Sequence, residues 1–213
     1  MKKKLLIFDF DGTIADTPQV ALQIYNDLSG DYGLPIIDRK DFGIYRQKSV
    51  SELLDMAGLS WFRMPSLVRK ARQGFTRYIQ DVVPIPGIPE FLHQLIADGY
   101  TIGILTSNTR ENVRVFLQKH ELEVFEFIHA PRSLFGKAPV IRRLLRQYRI
   151  SPGDALMIGD ELRDIEAARK SGIDSVAVTW GFNTEELLRG GSPTHVADTP
   201  AALYALLQRL ADA

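Results

Sequence analysis

Lys3-Lys4-Leu5-Leu6-Ile7-Phe8-Asp9-Phe10-Asp11-Gly12-Thr13 is a short apolar run that stops on two acids. A continuous run of this kind is how a buried parallel strand reads, and Gly12 permits a tight turn straight after it. Side chains alternate along a strand, so residues two apart tend to face the same way. Asp9 and Asp11 are therefore expected to converge on one small ligand where the sheet stops. Two carboxylates that close repel each other unless a cation or a shared proton lies between them. The pattern reads as a divalent-metal site, as an acid/nucleophile pair, or as both.

Working outward from this stretch, strand and helix patterns alternate, which predicts an α/β layered fold. Thr101–Leu105, Phe127–His129, Ala155–Ile158 and Ser175–Val178 are further short apolar runs. Between them a helix is predicted from Pro89 to Gly99, with Phe91, Leu92, Leu95 and Ile96 on one face. A second begins at Pro139, with Ile141, Leu144, Leu145 and Tyr148 inward. A third runs from Leu162 to Ser171 and is stopped by Gly172.

From about Pro18 to Val83 the alternation lapses and only helical spacing remains. Val20, Ala21, Ile24, Tyr25 and Leu28 form one face, closed by Gly30. Ser49-Val50-Ser51-Glu52 has capping-box spacing, with Leu53, Leu54 and Ala57 behind it. Pro65 opens a helix with Leu67, Val68, Ala71, Phe75, Tyr78 and Ile79 inward. Short helices need a partner surface, so this segment reads as a helical module inserted after the first strand. Thr17-Pro18 and Pro84-Ile85-Pro86-Gly87 are its expected hinges.

The chain has 213 residues, of which 45% are apolar, enough for one large domain or a medium domain with an insert. Lys+Arg and Asp+Glu are 26 each, which removes the usual electrostatic case for nucleic-acid binding. The absence of cysteine excludes disulfides, thiolate metal sites and cysteine nucleophiles. Met1-Lys2-Lys3-Lys4 superficially resembles a signal-peptide start, but the apolar run behind it ends at Asp9, too soon for a signal or a membrane span. The expectation is a cytoplasmic protein with no membrane partner. No motif speaks to oligomeric state.

Three more polar segments fall at predicted strand or helix ends: Thr106-Ser107-Asn108, Gly136-Lys137-Ala138-Pro139 and Gly159-Asp160-Glu161-Leu162-Arg163-Asp164. In an open parallel sheet, ligands bind beyond the carboxyl ends of the strands, so all of these could share one site. In order and interval, Asp9-Phe10-Asp11-Gly12-Thr13, Thr106, Lys137 and Gly159-Asp160 with Asp164 resemble the four motifs of the haloacid dehalogenase superfamily of hydrolases. The likeness is to its phosphoglycolate phosphatase and β-phosphoglucomutase branch. The resemblance implies a Rossmann-like parallel-sheet core, residues 1–16 and 84–213, with a helical cap, residues 17–83, closing over the site.

The resemblance also implies a Mg²⁺-dependent phosphatase acting on a small phosphorylated metabolite such as phosphoglycolate. Asp9 is the candidate nucleophile, forming an aspartyl-phosphate, and Asp11 the candidate general acid/base. Mg²⁺ is assigned to the Asp9 carboxylate, the Asp11 backbone carbonyl and Asp160, with Asp164 orienting the shell. Thr106 would donate a hydroxyl to a phosphate oxygen. Ser107 and Asn108, near a helix start, would offer backbone N–H groups, and Lys137 a point charge.

Arg46 and Lys48 in the insert either meet a substrate carboxylate or second phosphate or are ordinary surface charge. Trp180-Gly181-Phe182-Asn183 is either a packed loop or part of the site's mouth. His93, His120, His129 and His195 show no metal-ligand spacing, and Arg142, Arg143, Arg146 and Arg149 read as a solvated helix face. Three positions depart from the family pattern: Ala138 between Lys137 and Pro139, Glu161 after Asp160, and Thr17-Pro18 at the hinge. Competing readings are a sugar phosphomutase of the β-phosphoglucomutase type and a non-catalytic phosphoryl-binding module. A dehalogenase is disfavoured because such relatives lack the acid that Asp11 supplies.

Overall fold

The computed structural model describes residues 3–56, 58, 61–131 and 136–212, without the side chains of Val50 and Trp61. Six parallel strands form one sheet: β1 (Leu5–Phe8), β2 (Thr101–Leu105), β3 (Phe127–His129), β4 (Ala155–Gly159), β5 (Asp174–Val178) and β6 (His195–Ala197). Their order is β3-β2-β1-β4-β5-β6. The chain therefore leaves β1 on one side to build β2 and β3, then returns to its other side for β4. That reversal makes a crevice at the carboxyl ends of β1 and β4, where Asp9 and Asp160 stand.

The alternation in β1 divides the core. Leu6 and Phe8 join one buried cluster with Phe91, Leu92, Ile104, Phe116 and Leu203. Leu5 and Ile7 join another with Ile141, Leu144, Met157 and Ala168. Helices α5 (Ile88–Ala97), α6 (Arg110–Lys119) and α10 (Pro200–Asp212) supply the first layer, and α7 (Lys137–Tyr148) with α8 (Leu162–Ser171) the second. A short α9 (Glu185–Gly190) lies between β5 and β6.

The segment without strands is helical, as the spacing predicts: α1 (Pro18–Tyr32), α2 (Phe42–Tyr45), α3 (Val50–Met56) and α4 (Met64–Tyr78). Its own core is small, with Tyr32, Leu34 and Met64 buried and Tyr25, Leu54, Leu67 and Val68 packed around them. The two connections to the sheet run side by side. Asp16 N–H donates to Val83 O at 2.9 Å and Ile85 N–H to Ile14 O at 2.9 Å.

Several boundaries differ from the sequence reading. Helix α1 passes through Gly30 and ends where Gly33 takes φ 68°; an interior glycine costs a helix only about 1 kcal/mol, whereas a left-handed cap strongly favours one. Helix α7 starts at Lys137 rather than Pro139, because the first turn needs no N–H from Pro139. Ile96, expected inward, is 41% exposed. Strand β6 is an addition to the sequence reading. The capping box holds: Ser49 N–H donates to Glu52 Oε2 at 2.8 Å and Glu52 N–H to Ser49 Oγ at 3.2 Å. Ala57, expected behind it, lies outside the described residues, as do Met1 and Lys2.

Candidate active site

Strand β1 delivers Asp9 to the crevice, and Asp9 N–H is fixed by Ile158 O of β4 at 2.8 Å. The chain then turns tightly, with the N–H groups of Ile14 and Ala15 both donating to Phe10 O. Thr17 Oγ1 accepts from Gly12 N–H at 3.0 Å, so the hinge departure at Thr17 is absorbed as a brace for this turn. Strand β1 ends at Phe8. Asp9 and Asp11 are neighbours through the turn, and strand alternation does not reach them.

Strand β4 and the start of α8 supply Asp160 and Asp164, and the N-terminus of α7 supplies Lys137. One carboxylate oxygen from each of Asp9, Asp160 and Asp164 lies within 4.8 Å of the others, and all three residues are buried. Lys137 Nζ sits 2.8 Å from Asp9 Oδ2 and 2.5 Å from Asp164 Oδ1. The contact to Asp9 is an ion pair rather than an aligned hydrogen bond, and Asp9 Oδ2 accepts no hydrogen bond from the described residues.

Asp160 is held at both oxygens, by the Thr13 hydroxyl at 2.6 Å and by Phe182 N–H at 2.7 Å. Three glycines wrap these acids. A Cβ on Gly12 or on Gly181 would stand 2.2 Å from Asp160 Oδ2, and one on Gly159 2.4 Å from Asp164 Oδ2. Gly12 also has φ +74°, a backbone state other residues adopt at a cost.

Thr106, Ser107 and Asn108 follow β2 into the same crevice. Asn108 Nδ2 donates to Asp11 Oδ1 at 3.1 Å, and Asn108 N–H to Thr106 Oγ1 at 3.0 Å. Helix α6 begins only at Arg110, capped by the Thr109 side chain, so the backbone N–H of Asn108 is engaged within its own loop. Thr13 and Arg163 lie within the quoted motifs, but no role falls to either from the sequence alone. Arg163 Nη2 donates to Glu161 Oε1 at 2.5 Å and to Ser107 Oγ at 3.2 Å. A cation in the first turn of a helix, where acids are favoured, is the signal that could have marked Arg163.

Arg46 has partners other than the expected ligand. Its Nε donates to Phe182 O at 2.9 Å and its Nη2 to Gly181 O at 2.7 Å. Asn183 Nδ2 returns donations to the backbone carbonyls of Arg46 and Lys48 at 3.3 and 3.2 Å. The loop from Trp180 to Asn183 is thus both a packed loop and a wall of the site, with Trp180 Nε1–H donating to Thr13 O at 3.1 Å. Glu161 does not point at the acids' centre but pairs with Arg163.

Burial and mutual repulsion dominate the electrostatics. Desolvation, then the nearby Asp9 charge, pushes Asp11 up to about 7. Burial and the charges of Asp9, Glu161 and Asp164 hold Asp160 well above the usual carboxylate range. Asp164 is raised by burial against the opposing pull of Lys137. Burial drags the Lys137 ammonium down, but Asp164 and Asp9 together outweigh it and its pKa lies above the ordinary lysine value.

An excess of buried acid and an oxygen-only donor set fit a hard divalent cation. Asp9 and Asp160 are the oxygens that would hold it, with Asp164 adjacent.

The chain is similar in sequence and fold to known proteins. The profile of the haloacid dehalogenase-like hydrolases matches residues 6–178. The chain is 33% identical over 206 residues to a phosphoglycolate phosphatase of Synechococcus elongatus, covering 96% of this chain and 97% of that one. It is 27% identical over 223 residues to an N-acetylmuramic acid 6-phosphate phosphatase of Pseudomonas aeruginosa, covering 98% and 96%. Among solved structures, a haloacid dehalogenase-like family hydrolase of Streptococcus pneumoniae superposes with a TM-score of 0.78 at 25% identity, covering 95% and 97%. On the sheet order, the motif geometry and these matches, the chain belongs to the haloacid dehalogenase-like hydrolases.

Proposed function

We propose that the protein is a cytoplasmic Mg²⁺-dependent phosphatase that hydrolyses a small phosphate monoester through an aspartyl-phosphate, with residues 17–83 as its cap. The observation that carries this reading is the buried meeting of Asp9, Asp160 and Asp164 with Lys137 on Asp9 Oδ2. Asp9 and Asp160, with the Asp11 backbone carbonyl, are the assigned ligands. Mg²⁺ bound there would neutralise acid charge and polarise the phosphoryl oxygens.

Asp9 attacks phosphorus in line with the ester oxygen; the new bond is Asp9 O–P and the bond that breaks is P–O of the leaving alcohol. Asp11 gives that oxygen its proton. In the second half Asp11 takes a proton from water, which attacks the same phosphorus and frees Asp9 and inorganic phosphate. Lys137 holds Asp9 in place and offsets charge on the phosphoryl group. The Asn108 amide keeps the Asp11 carboxyl aimed, and the Thr106 hydroxyl is the assigned donor to a phosphoryl oxygen.

Phosphoglycolate enters as the compound in the relatives' names, and it heads the substrate panel. The test is steady-state hydrolysis of phosphate monoesters with Mg²⁺ by wild type and Asp9→Asn. Wild type should turn over at least one ester. The variant should lose at least about 10³-fold in kcat while keeping its circular dichroism spectrum. Unchanged kcat in Asp9→Asn would refute the nucleophile assignment.

A further inference from the structure

We propose that the organic group of the substrate is bulky and predominantly apolar, an aryl-alkyl or comparable hydrocarbon carried on the phosphate. It would be received by the cavity between the inserted helices and the loops of the sheet. This rests on the phosphatase reading and names the ester class that reading leaves open.

The cavity has a volume of about 330 Å³, a size that receives a small organic ligand. Most of its wall is hydrocarbon: Leu22, Tyr25, Leu34, Ile37, Phe42 and Leu53 come from α1, α2, α3 and the segment between them. At its core end it is lined by Glu161 and Arg163, which flank the buried Asp160 and Asp164 in sequence. We take a phosphate among the acids and an organic group in the cavity to be two ends of one molecule.

Three cations line the wall, Arg46, Lys48 and Arg163; two of them are committed elsewhere, and Lys48 stands near Glu52. A substrate with a second anionic group needs a cation to receive it. The Arg46 guanidinium is turned to two backbone carbonyls, and the Arg163 guanidinium is paired with Glu161 and Ser107. Recruiting either would break charge-assisted contacts already made. A two-carbon acid would also leave the hydrocarbon wall wet, whereas an apolar group of matching size removes that surface from water.

The test compares esters of like leaving group, so that intrinsic reactivity cancels: ethyl phosphate, 2-phenylethyl phosphate and phosphoglycolate, with Mg²⁺. The expected kcat/KM for 2-phenylethyl phosphate is at least about tenfold above both others. Ala21→Phe and Leu54→Phe each add bulk to the cavity wall. Each should abolish the advantage, read as the ratio of kcat/KM for 2-phenylethyl phosphate to that for ethyl phosphate, with the wild-type circular dichroism spectrum kept. In parallel, titration calorimetry with the inert 2-phenylethylphosphonate and ethylphosphonate should give at least about tenfold tighter binding of the former.

Equal kcat/KM for the three esters, or a preference for phosphoglycolate, overturns the proposal and leaves the phosphatase reading standing. An advantage that survives in both filled variants also overturns it. If no ester turns over, the phosphatase reading fails and the phosphonates decide the cavity: tighter aryl binding upholds an apolar site, and equal binding refutes it.

Discussion

Gly181 shows how closely single atoms govern this site. It is not among the glycines with positive φ, so alanine there adds bulk without backbone strain. The added Cβ would fall 2.2 Å from Asp160 Oδ2 and 2.4 Å from Asp160 Cβ. The carboxylate must shift, and with it an oxygen assigned to the cation. Gly181→Ala should therefore weaken apparent Mg²⁺ affinity by about 10–100-fold, the range for disturbed supporting residues of metal sites. A Mg²⁺ titration followed by thermal shift measures it; an unchanged midpoint would separate Asp160 from the metal. At this scale the acids were legible in the sequence because the four motifs keep their order and intervals. The roles of Gly181, Thr13 and Arg163 were not, although Thr13 lies in the first motif and Gly181 in the loop marked as a possible mouth of the site. Each acts through a contact between residues far apart in the chain or across a turn, as Thr13 does with Asp160, and no local pattern encodes such a meeting.

At the scale of elements, apolar runs identified five of the strands, because strands buried on both faces are written as continuous hydrocarbon. Strand β6 was not legible because His195-Val196-Ala197 offers only two apolar residues, one of them small, after a histidine. Helix ends were misplaced where two signals competed, as between Gly30 and Gly33. The attachment of the insert was also invisible in the sequence, and it is specific. Arg72 of α4 donates to Ser107 O at 2.7 Å and to Pro131 O at 2.8 Å. Thr76 Oγ1 donates to Asn112 Oδ1 at 3.0 Å, Asn112 Nδ2 to Asn108 Oδ1 at 2.8 Å, and Asn108 Nδ2 to Asp11. A chain of polar contacts thus runs from the insert to the proposed acid. Arg72→Ala deletes the docking guanidinium and strands two carbonyls, at about 1 kcal/mol or more. Amide exchange across residues 64–78 should quicken several-fold, while exchange in β1 and β4 stays put. Equal exchange in α4 would mean that Arg72 does not dock the insert.

The whole molecule is formally neutral, yet its centre is not. Asp9, Asp11, Asp160, Glu161 and Asp164 are buried together. Among the described residues only Lys137 and Arg163 oppose them at close range. Like charges that are desolvated side by side raise the free energy of the folded state. A divalent cation bound there relieves that repulsion in the native state alone, since the unfolded chain holds no such cluster. Binding of this kind stabilises by about 2.7 kcal/mol at a hundredfold excess over Kd. For a chain of this length that corresponds to a rise in Tm of about 5–10 °C. Mg²⁺ added to chelator-treated protein should produce this rise, and EDTA should reverse it. Asp160→Ala should show little of it while gaining stability in EDTA relative to an alanine variant at a neutral buried site. A wild-type Tm indifferent to Mg²⁺ at concentrations that saturate turnover would leave the acid cluster without its counter-ion, and the proposed chemistry without its electrostatic basis.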